Sequence, residues 1–373
     1  MDSSDRHQPD ILLLGAGGFI GSHLCVALRR RNRCRLTALD LDRSKIDQGL
    51  AEAVEFDAGV SGSTPAGSEI RYVDLDIVQP ENRERLDELI AGHDIVVNMI
   101  AVCNPALYVS DPLGTFEIGF RGNLDIIDSC VRHDRRLIHF STCEVYGKSP
   151  AVYVEDEAFW FDEEESNLIM GPVSRHRWIY ASGKQLLERY IHAHGLQNGL
   201  DYTIIRPFNY IGQRIDYLPS EQTGNPRVFS HFMNALLTGE PLSLVNGGEQ
   251  RRAYLYIRDA TEAHLRIIEN EGNLCSRRIF NVGNPANETS IRDLAVLMSD
   301  IWRERFMSPG EVLPGLREVS GEEFYGVGYD DIDRRLPLID AIRECTGWEP
   351  VYGLREMLVE IMEYYHRRVG SIA

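Results

Sequence analysis

The chain has 373 residues, 43% hydrophobic and 26% charged, the balance of an ordinary globular protein with room for one large core or a large and a small lobe. Its formal net charge of -18 repels nucleic acid and anionic membrane, so neither is expected as a partner; a small anionic substrate in a locally basic pocket stays open. No apolar run approaches the roughly 18–20 residues that span a bilayer, and Met1–Asp10 is polar with no signal-peptide core, so a cytoplasmic location is expected.

Ile11–Leu14 is a continuous apolar run suited to a buried parallel strand, followed by a glycine turn and a helix over His23–Arg30. Strands are predicted at Arg35–Leu39, Glu69–Asp76, Asp94–Ala101, Arg136–Ser141 and Tyr202–Arg206. Helices at Glu81–Ile90, at Asn123–Arg132 and after Tyr180 alternate with them. That alternation predicts an α/β fold, a doubly wound parallel Rossmann sheet with a smaller, mostly C-terminal lobe. Beyond Pro207 the pattern loosens. Ile211–Arg227 reads as a loop over a site, Phe229–Leu237 as a helix, and Leu242–Val245 and Ile279–Val282 as strands. Ser290–Glu304 reads as a helix, Glu311–Leu336 as irregular chain, and Leu354–Arg367 as a terminal helix. The expected division is a nucleotide-binding lobe of residues 1–206 and 247–284, and a second lobe of 207–246 and 285–373.

The run Gly15-Ala-Gly-Gly-Phe-Ile-Gly21 follows a strand and opens a helix, the context a dinucleotide-binding turn requires. Glycines let the backbone approach a pyrophosphate, which meets the unpaired N–H groups of the helix start. Asp40 lies 19 residues after Gly21 at a strand end, where its carboxylate suits ribose hydroxyls and repels a 2′-phosphate, so NAD is the expected cofactor. Arg43 reads as a solvated loop charge. Asp76 either meets the adenine amino group or caps a helix.

Tyr180 and Lys184 stand four residues apart, on one face of a helix. An ammonium beside a phenol is expected to lower its pKa, so that Tyr180 can act as a base near neutrality. The seven cysteines form no paired spacing, which argues against a disulfide framework or a zinc knuckle, and no metal is expected.

Ser141-Thr-Cys-Glu-Val-Tyr-Gly147, Tyr180-Ala-Ser-Gly-Lys184 and Arg206-Pro-Phe-Asn209 resemble the extended short-chain dehydrogenase/reductase superfamily, whose members act on nucleotide sugars. The resemblance implies a triad of Thr142, Tyr180 and Lys184, and a homodimer formed through the helix that carries Tyr180. It assigns Gly15, Gly18, Phe19, Ile20, Gly21, Asp40, Asp76, Ile77, Ala101 and Asn123, with Tyr180 and Lys184, to the cofactor.

A narrower similarity covers nearly the whole chain. Gly15–Cys25, Arg136–Lys148, Pro226–Phe232, Phe280–Glu288 and Glu323–Pro337 resemble the UDP-glucuronic acid decarboxylase family, and most of all its UDP-apiose/UDP-xylose synthase branch. This implies a UDP-sugar substrate, oxidised at C4 and then decarboxylated. The products are UDP-apiose, UDP-xylose or the released 4-keto pentose. It implies that Glu144 is a base near the ring, that Arg335 meets the sugar carboxylate, and that Cys103 and Cys143 are active-site thiols. Read from chemistry alone, both cysteines are equally buried packing. It carries Tyr108, Arg177, Asn209, Arg227, Arg252, Tyr329, Asp331 and Arg335 over as substrate contacts. Two departures stand out: Ser243 and Asn246 replace the lysine and aspartate of these families. A 4-epimerase, a dehydratase, or a redox sensor that holds NAD without turnover are the competing readings.

Overall fold

The structure is a computed structural model that describes residues 8–59, 69–150, 160–215, 227–325 and 330–370. The first apolar run forms β1 (Asp10–Leu14). Ile11 and Leu13 enter one apolar cluster and Leu12 and Leu14 another, all at most 1% exposed. A strand buried on both faces needs helices on both sides of its sheet. Those helices and strands follow in order: α1 (Phe19–Arg31), β2 (Arg35–Leu39), α2 (Ser44–Gly59), β3 (Ile70–Val73), α3 (Arg83–Ala91) and β4 (Ile95–Asn98). Two short helices, α4 (Pro105–Ser110) and α5 (Pro112–Phe116), lead through a π-helical turn at Glu117–Arg121 into α6 (Gly122–Arg132) and β5 (Arg136–Phe140). Next come α7 (Trp178–Gln197), β6 (Tyr202–Pro207), β7 (Tyr210–Ile211), α8 (Val228–Thr238), β8 (Leu242–Val245), β9 (Arg251–Ala253) and β10 (Leu255–Tyr256). The chain continues with α9 (Ile257–Glu269), β11 (Arg278–Val282), β12 (Glu288–Ser290), α10 (Ile291–Arg305), β13 (Leu316–Val319) and α11 (Gly321–Tyr325). It closes with β14 (Arg334–Arg335), α12 (Asp340–Thr346) and α13 (Leu354–Gly370).

Seven parallel strands form the main sheet in the order β11-β6-β5-β4-β1-β2-β3. Chain direction across the sheet reverses between β1 and β4, and the crevice at their carboxyl ends is where such sheets take ligands. The expected doubly wound sheet is therefore the observed fold. Smaller sheets β12-β9-β14, β13-β8 and β10-β7 stand beside it.

Several expectations need correction. The strand expected at Glu69–Asp76 stops at Val73, and Asp76 closes the following turn by accepting from the Val78 amide at 3.1 Å. Asp94–Ala101 is a strand only over Ile95–Asn98, and the rest is loop. Glu311–Leu336 is not irregular throughout: β13 pairs with β8, α11 follows it, and β14 pairs with β9. These segments are too short to show a period, and their partners are far away in sequence. For the same reason β9, placed by sequence with the cofactor lobe, pairs instead with β12 and β14. Of the loop expected over Ile211–Arg227, residues 216–226 lie outside the described residues. Among the described residues, no helix is long and apolar enough to cross a membrane.

Candidate active site

The crevice at the sheet's carboxyl edge opens into a cleft of about 480 Å³, within the usual range for ligand pockets. Its first wall is the glycine turn. Gly15 sits at φ +82°, and a Cβ there would come within 3.0 Å of the Met99 backbone. A Cβ on Gly17 would lie 1.8 Å from the Asp42 carbonyl oxygen, and one on Gly21 would lie 2.4 Å from that of Gly15. Only glycine allows this packing. Helix α1 begins at Gly18 with no side-chain cap, so its first amides keep no competitor for an anion. Gly15, Gly18, Phe19, Ile20, Gly21 and Ala101 all line the cleft, and this cradle fits the pyrophosphate and nicotinamide parts of NAD.

Four residues assigned to the cofactor do not line the cleft. The Asp40 carboxylate accepts from the Gly17 amide at 2.8 Å and from the Leu41 amide at 2.8 Å, bracing the glycine turn at the edge of the site. Asp76 closes its own turn, and Ile77 is core. Asn123 is fully buried. Its Oδ1 accepts from Asn98 at 2.7 Å and its Nδ2 donates to the Ile118 carbonyl at 2.9 Å. It fixes the loop after β4 instead of facing a ligand. Arg43 pairs with Asp47 at 2.8 Å and stays half-exposed, the solvated role expected of it.

Tyr180 lies in the first turn of α7, at the cleft. Its ring stacks on Tyr108, with centroids 4.8 Å apart and an interplanar angle of 8°, and its hydroxyl lies 3.9 Å from Cys103 Sγ. Lys184 Nζ donates to the Phe140 carbonyl at 2.7 Å, and burial brings its ammonium down to about 8. The expected lowering of the Tyr180 pKa is corrected here. Burial above all, then Cys103, Tyr108 and Glu144, hold the phenol well above its ordinary 10.0. A positive charge brought beside Tyr180 by a bound, oxidised nicotinamide would act in the opposite direction.

Beyond Tyr180, β5 ends at Phe140 and the chain runs on into Ser141 and Thr142, both of which line the cleft. Thr142 Oγ1 accepts from the Glu144 amide at 3.2 Å, which turns the chain and presents Cys143 and Glu144. Arg177 binds Glu144 through both terminal nitrogens, at 3.0 and 3.1 Å, and Arg335 approaches it at 3.3 Å. Asp331 joins Arg252 at 2.9 Å, Arg335 at 3.1 Å and Arg177 at 3.2 Å. Despite its burial, those three guanidiniums hold the Asp331 carboxyl well below the usual carboxylate range. Burial pushes the Cys143 thiol up, with Arg335 pulling the other way, so this residue is a proton donor rather than a thiolate at neutral pH. All seven cysteines are free, and Cys103 is the exposed one.

Asn209 lines the cleft at φ +43°, anchored by donation to the Ala253 carbonyl at 3.2 Å. Arg227 donates to the Ile215 carbonyl at 2.7 Å and lies over Phe19. Tyr329 lies outside the described residues. The cleft also holds residues the sequence reading did not assign to it: Lys45 and Tyr254, and His231 and Phe324 from the second lobe. No local pattern marks them. Among the described residues, no group of three or more His, Cys, Asp or Glu is arranged to hold a metal.

A glycine cradle at a topological switch point, with a tyrosine and a lysine one helical turn apart beside it, defines a nicotinamide-dependent oxidoreductase site. The chain belongs to the NAD dependent epimerase/dehydratase family, whose model matches residues 11–283, and its cofactor is NAD. It is 40% identical to UDP-D-apiose/UDP-D-xylose synthase 1 of Arabidopsis thaliana, over 98% of this chain and 94% of the relative. It is likewise 40% identical to the UDP-D-apiose/UDP-D-xylose synthase of Oryza sativa subsp. japonica, over 96% and 89%. Among solved structures, the PbgP3 protein of Burkholderia pseudomallei matches with a TM-score of 0.78 and 30% identity over 98% of both chains. UDP-glucuronic acid 4-epimerase of Bacillus cereus, at 20% identity and a TM-score of 0.72 over 96% of this chain and 99% of its own, shares the fold.

Proposed function

We propose that this enzyme oxidises UDP-glucuronic acid at C4, decarboxylates the product, and yields UDP-apiose, UDP-xylose or both. The observation that carries the reading is the buried cluster of Arg177, Arg252 and Arg335 with Glu144 and Asp331. Three guanidiniums, with Glu144 and Asp331 between them, gather at the end of the cleft that holds Tyr180. A guanidinium fork matches a sugar carboxylate. Its similarity to UDP-D-apiose/UDP-D-xylose synthases supports a UDP-sugar as the substrate class.

NAD held by the glycine turn would supply the hydride acceptor for C4 and the donor for a later reduction, and the positive charge of its nicotinamide would offset the burial that keeps the Tyr180 phenol protonated. Tyr180 then takes the proton of the 4-hydroxyl. The 4-ketone then lies β to the C6 carboxylate. The C5–C6 bond breaks, carbon dioxide leaves, and the electron pair moves into the ketone oxygen. Tyr180 and Thr142 stabilise that oxygen by hydrogen bonds. A proton returned to C5 completes the step. Direct reduction at C4 gives xylose. Cleavage between C2 and C3, re-closure and reduction give apiose, and Cys103, Cys143 and Glu144 supply the extra proton transfers. Arg227 holds the diphosphate, while Arg252 stays with Asp331 at the carboxylate end. In this reading the cofactor lobe takes in residues 1–206 and 247–284 apart from β9, which pairs with β12 and β14 of the second lobe that supplies the substrate wall.

The product's mass tests the reading. UDP-glucuronic acid incubated with protein and NAD should give a product lighter by one carbon dioxide. A product of unchanged mass means epimerisation and overturns the proposal. Leu113 and Leu186, 73% and 53% exposed on α5 and α7, support the further reading that two copies pair through these helices; a monomer in sedimentation equilibrium overturns it.

A further inference from the structure

Resting on the reading of the cleft as a nucleoside-diphosphate sugar site, we propose that His231 is the side chain that recognises the nucleobase, reading the edge of a uracil through Nε2. The second lobe builds this wall from four elements. On β8 the side chains alternate: Leu242 and Leu244 enter the core, while Ser243 and Val245 line the cleft. Strand β13 pairs beside it, with Arg317 opposite Ser243. His231 projects from the first turn of α8 and lines the same cleft, and Phe324 of α11 meets its ring edge to face, centroids 5.1 Å apart at 86°.

The buried Nε2 of His231 has no hydrogen-bond partner among the described residues. A buried ring nitrogen left open is costly until something meets it, so the surroundings favour a ligand that does. Burial first, and Arg317 second, push the imidazole below its ordinary 6.5, so it is neutral at neutral pH. A neutral ring that meets Phe324 edge to face is a poorer phosphate site than Arg227, which stands one helical turn before it on the same cleft. It suits a planar heteroaromatic group with a polar edge. Uracil presents an N3–H between two carbonyl oxygens; with the ring proton on Nδ1, His231 Nε2 accepts from that N3–H, where cytosine N3 and adenine N1 carry a lone pair instead. Cytosine and adenine present a different order of donors and acceptors.

The test measures binding of UDP, CDP and ADP by titration calorimetry, with NAD saturating the glycine turn. The wild-type protein should prefer UDP. His231→Ala should weaken UDP about ten-fold, the loss expected for one buried hydrogen bond, and change CDP and ADP much less. His231→Gln, which keeps a donor and an acceptor, should recover part of the preference, and thermal unfolding of both variants checks that the fold survives. Unchanged UDP binding in His231→Ala, equal weakening of all three nucleotides, or no UDP preference in the wild type would each overturn the proposal. Decarboxylation by the wild-type protein is scored separately by product mass, so failure here leaves that reading standing.

Discussion

Cys103 is the exposed cysteine, and its sulfur lies 3.9 Å from the Tyr180 hydroxyl. Cys143 is buried beside Arg335 and kept as a thiol. One sulfur is therefore placed to exchange protons with Tyr180, and the other to donate one near the sugar carboxylate. Cys103→Ser should abolish UDP-apiose while sparing loss of carbon dioxide, because the proposed decarboxylation draws on Tyr180, Thr142 and Arg335 and not on this thiol. Product ratios read by proton NMR check this, and ratios equal to the wild type would mean that the thiols only pack. At this scale much of the site was legible. Tyr180 and Lys184 carry chemistry at a spacing that α-helical geometry turns into one face, and Thr142, Cys143 and Glu144 sit at a strand end. What the spacing does not contain is direction. Lys184 turns to the Phe140 carbonyl, and Asn123, assigned to the cofactor, turns inward to Asn98. His231 was not legible at all, since a lone histidine on an apolar helix looks like any core residue.

Segment 160–170 shows how elements remote in sequence are tied together. The Phe161 amide donates to the Leu336 carbonyl at 2.9 Å, next to Arg335, and the Phe161 ring stacks on Tyr146 with centroids 4.2 Å apart. Tyr146 donates to Asn281 on β11 at 2.8 Å, and Glu163 accepts from the Asn281 amide at 2.6 Å. Burial raises Glu163 from its ordinary 4.5 to about 7. The unfolded chain releases this proton near 4.5, whereas the folded chain holds it until about 7. Between those values the folded state binds more protons, so stability falls as pH rises, and the loss is complete above about 7. Glu163→Gln, which cannot ionise, should flatten this slope. Urea unfolding at pH 5 and pH 8 should show a smaller difference for the variant than for the wild type. An identical difference would mean that Glu163 titrates normally. None of these ties was legible in sequence. The strands of the main sheet were, because long apolar runs need only burial to declare themselves; β9, β13 and β14 are two to four residues long and owe their form to distant partners.

At the scale of the whole molecule, a sheet that ends in a glycine cradle meets a second lobe that brings arginines and a neutral histidine to the same cleft. The acidic chain, with its formal charge of -18, thus gathers Arg177, Arg252 and Arg335 in one cleft. On the proposed reading that cluster favours a uronic acid over a neutral hexose, which makes decarboxylation, and not hydride movement alone, the activity to test. The most direct test is to incubate the protein and NAD with UDP-glucuronic acid labelled with carbon-13 at C6, and to trap the gas released. The account predicts labelled carbon dioxide from the wild type, and a loss of roughly a hundred-fold or more in rate for Tyr180→Phe, the scale of a missing general base. Turnover of the sugar with the label retained at C6 would contradict it.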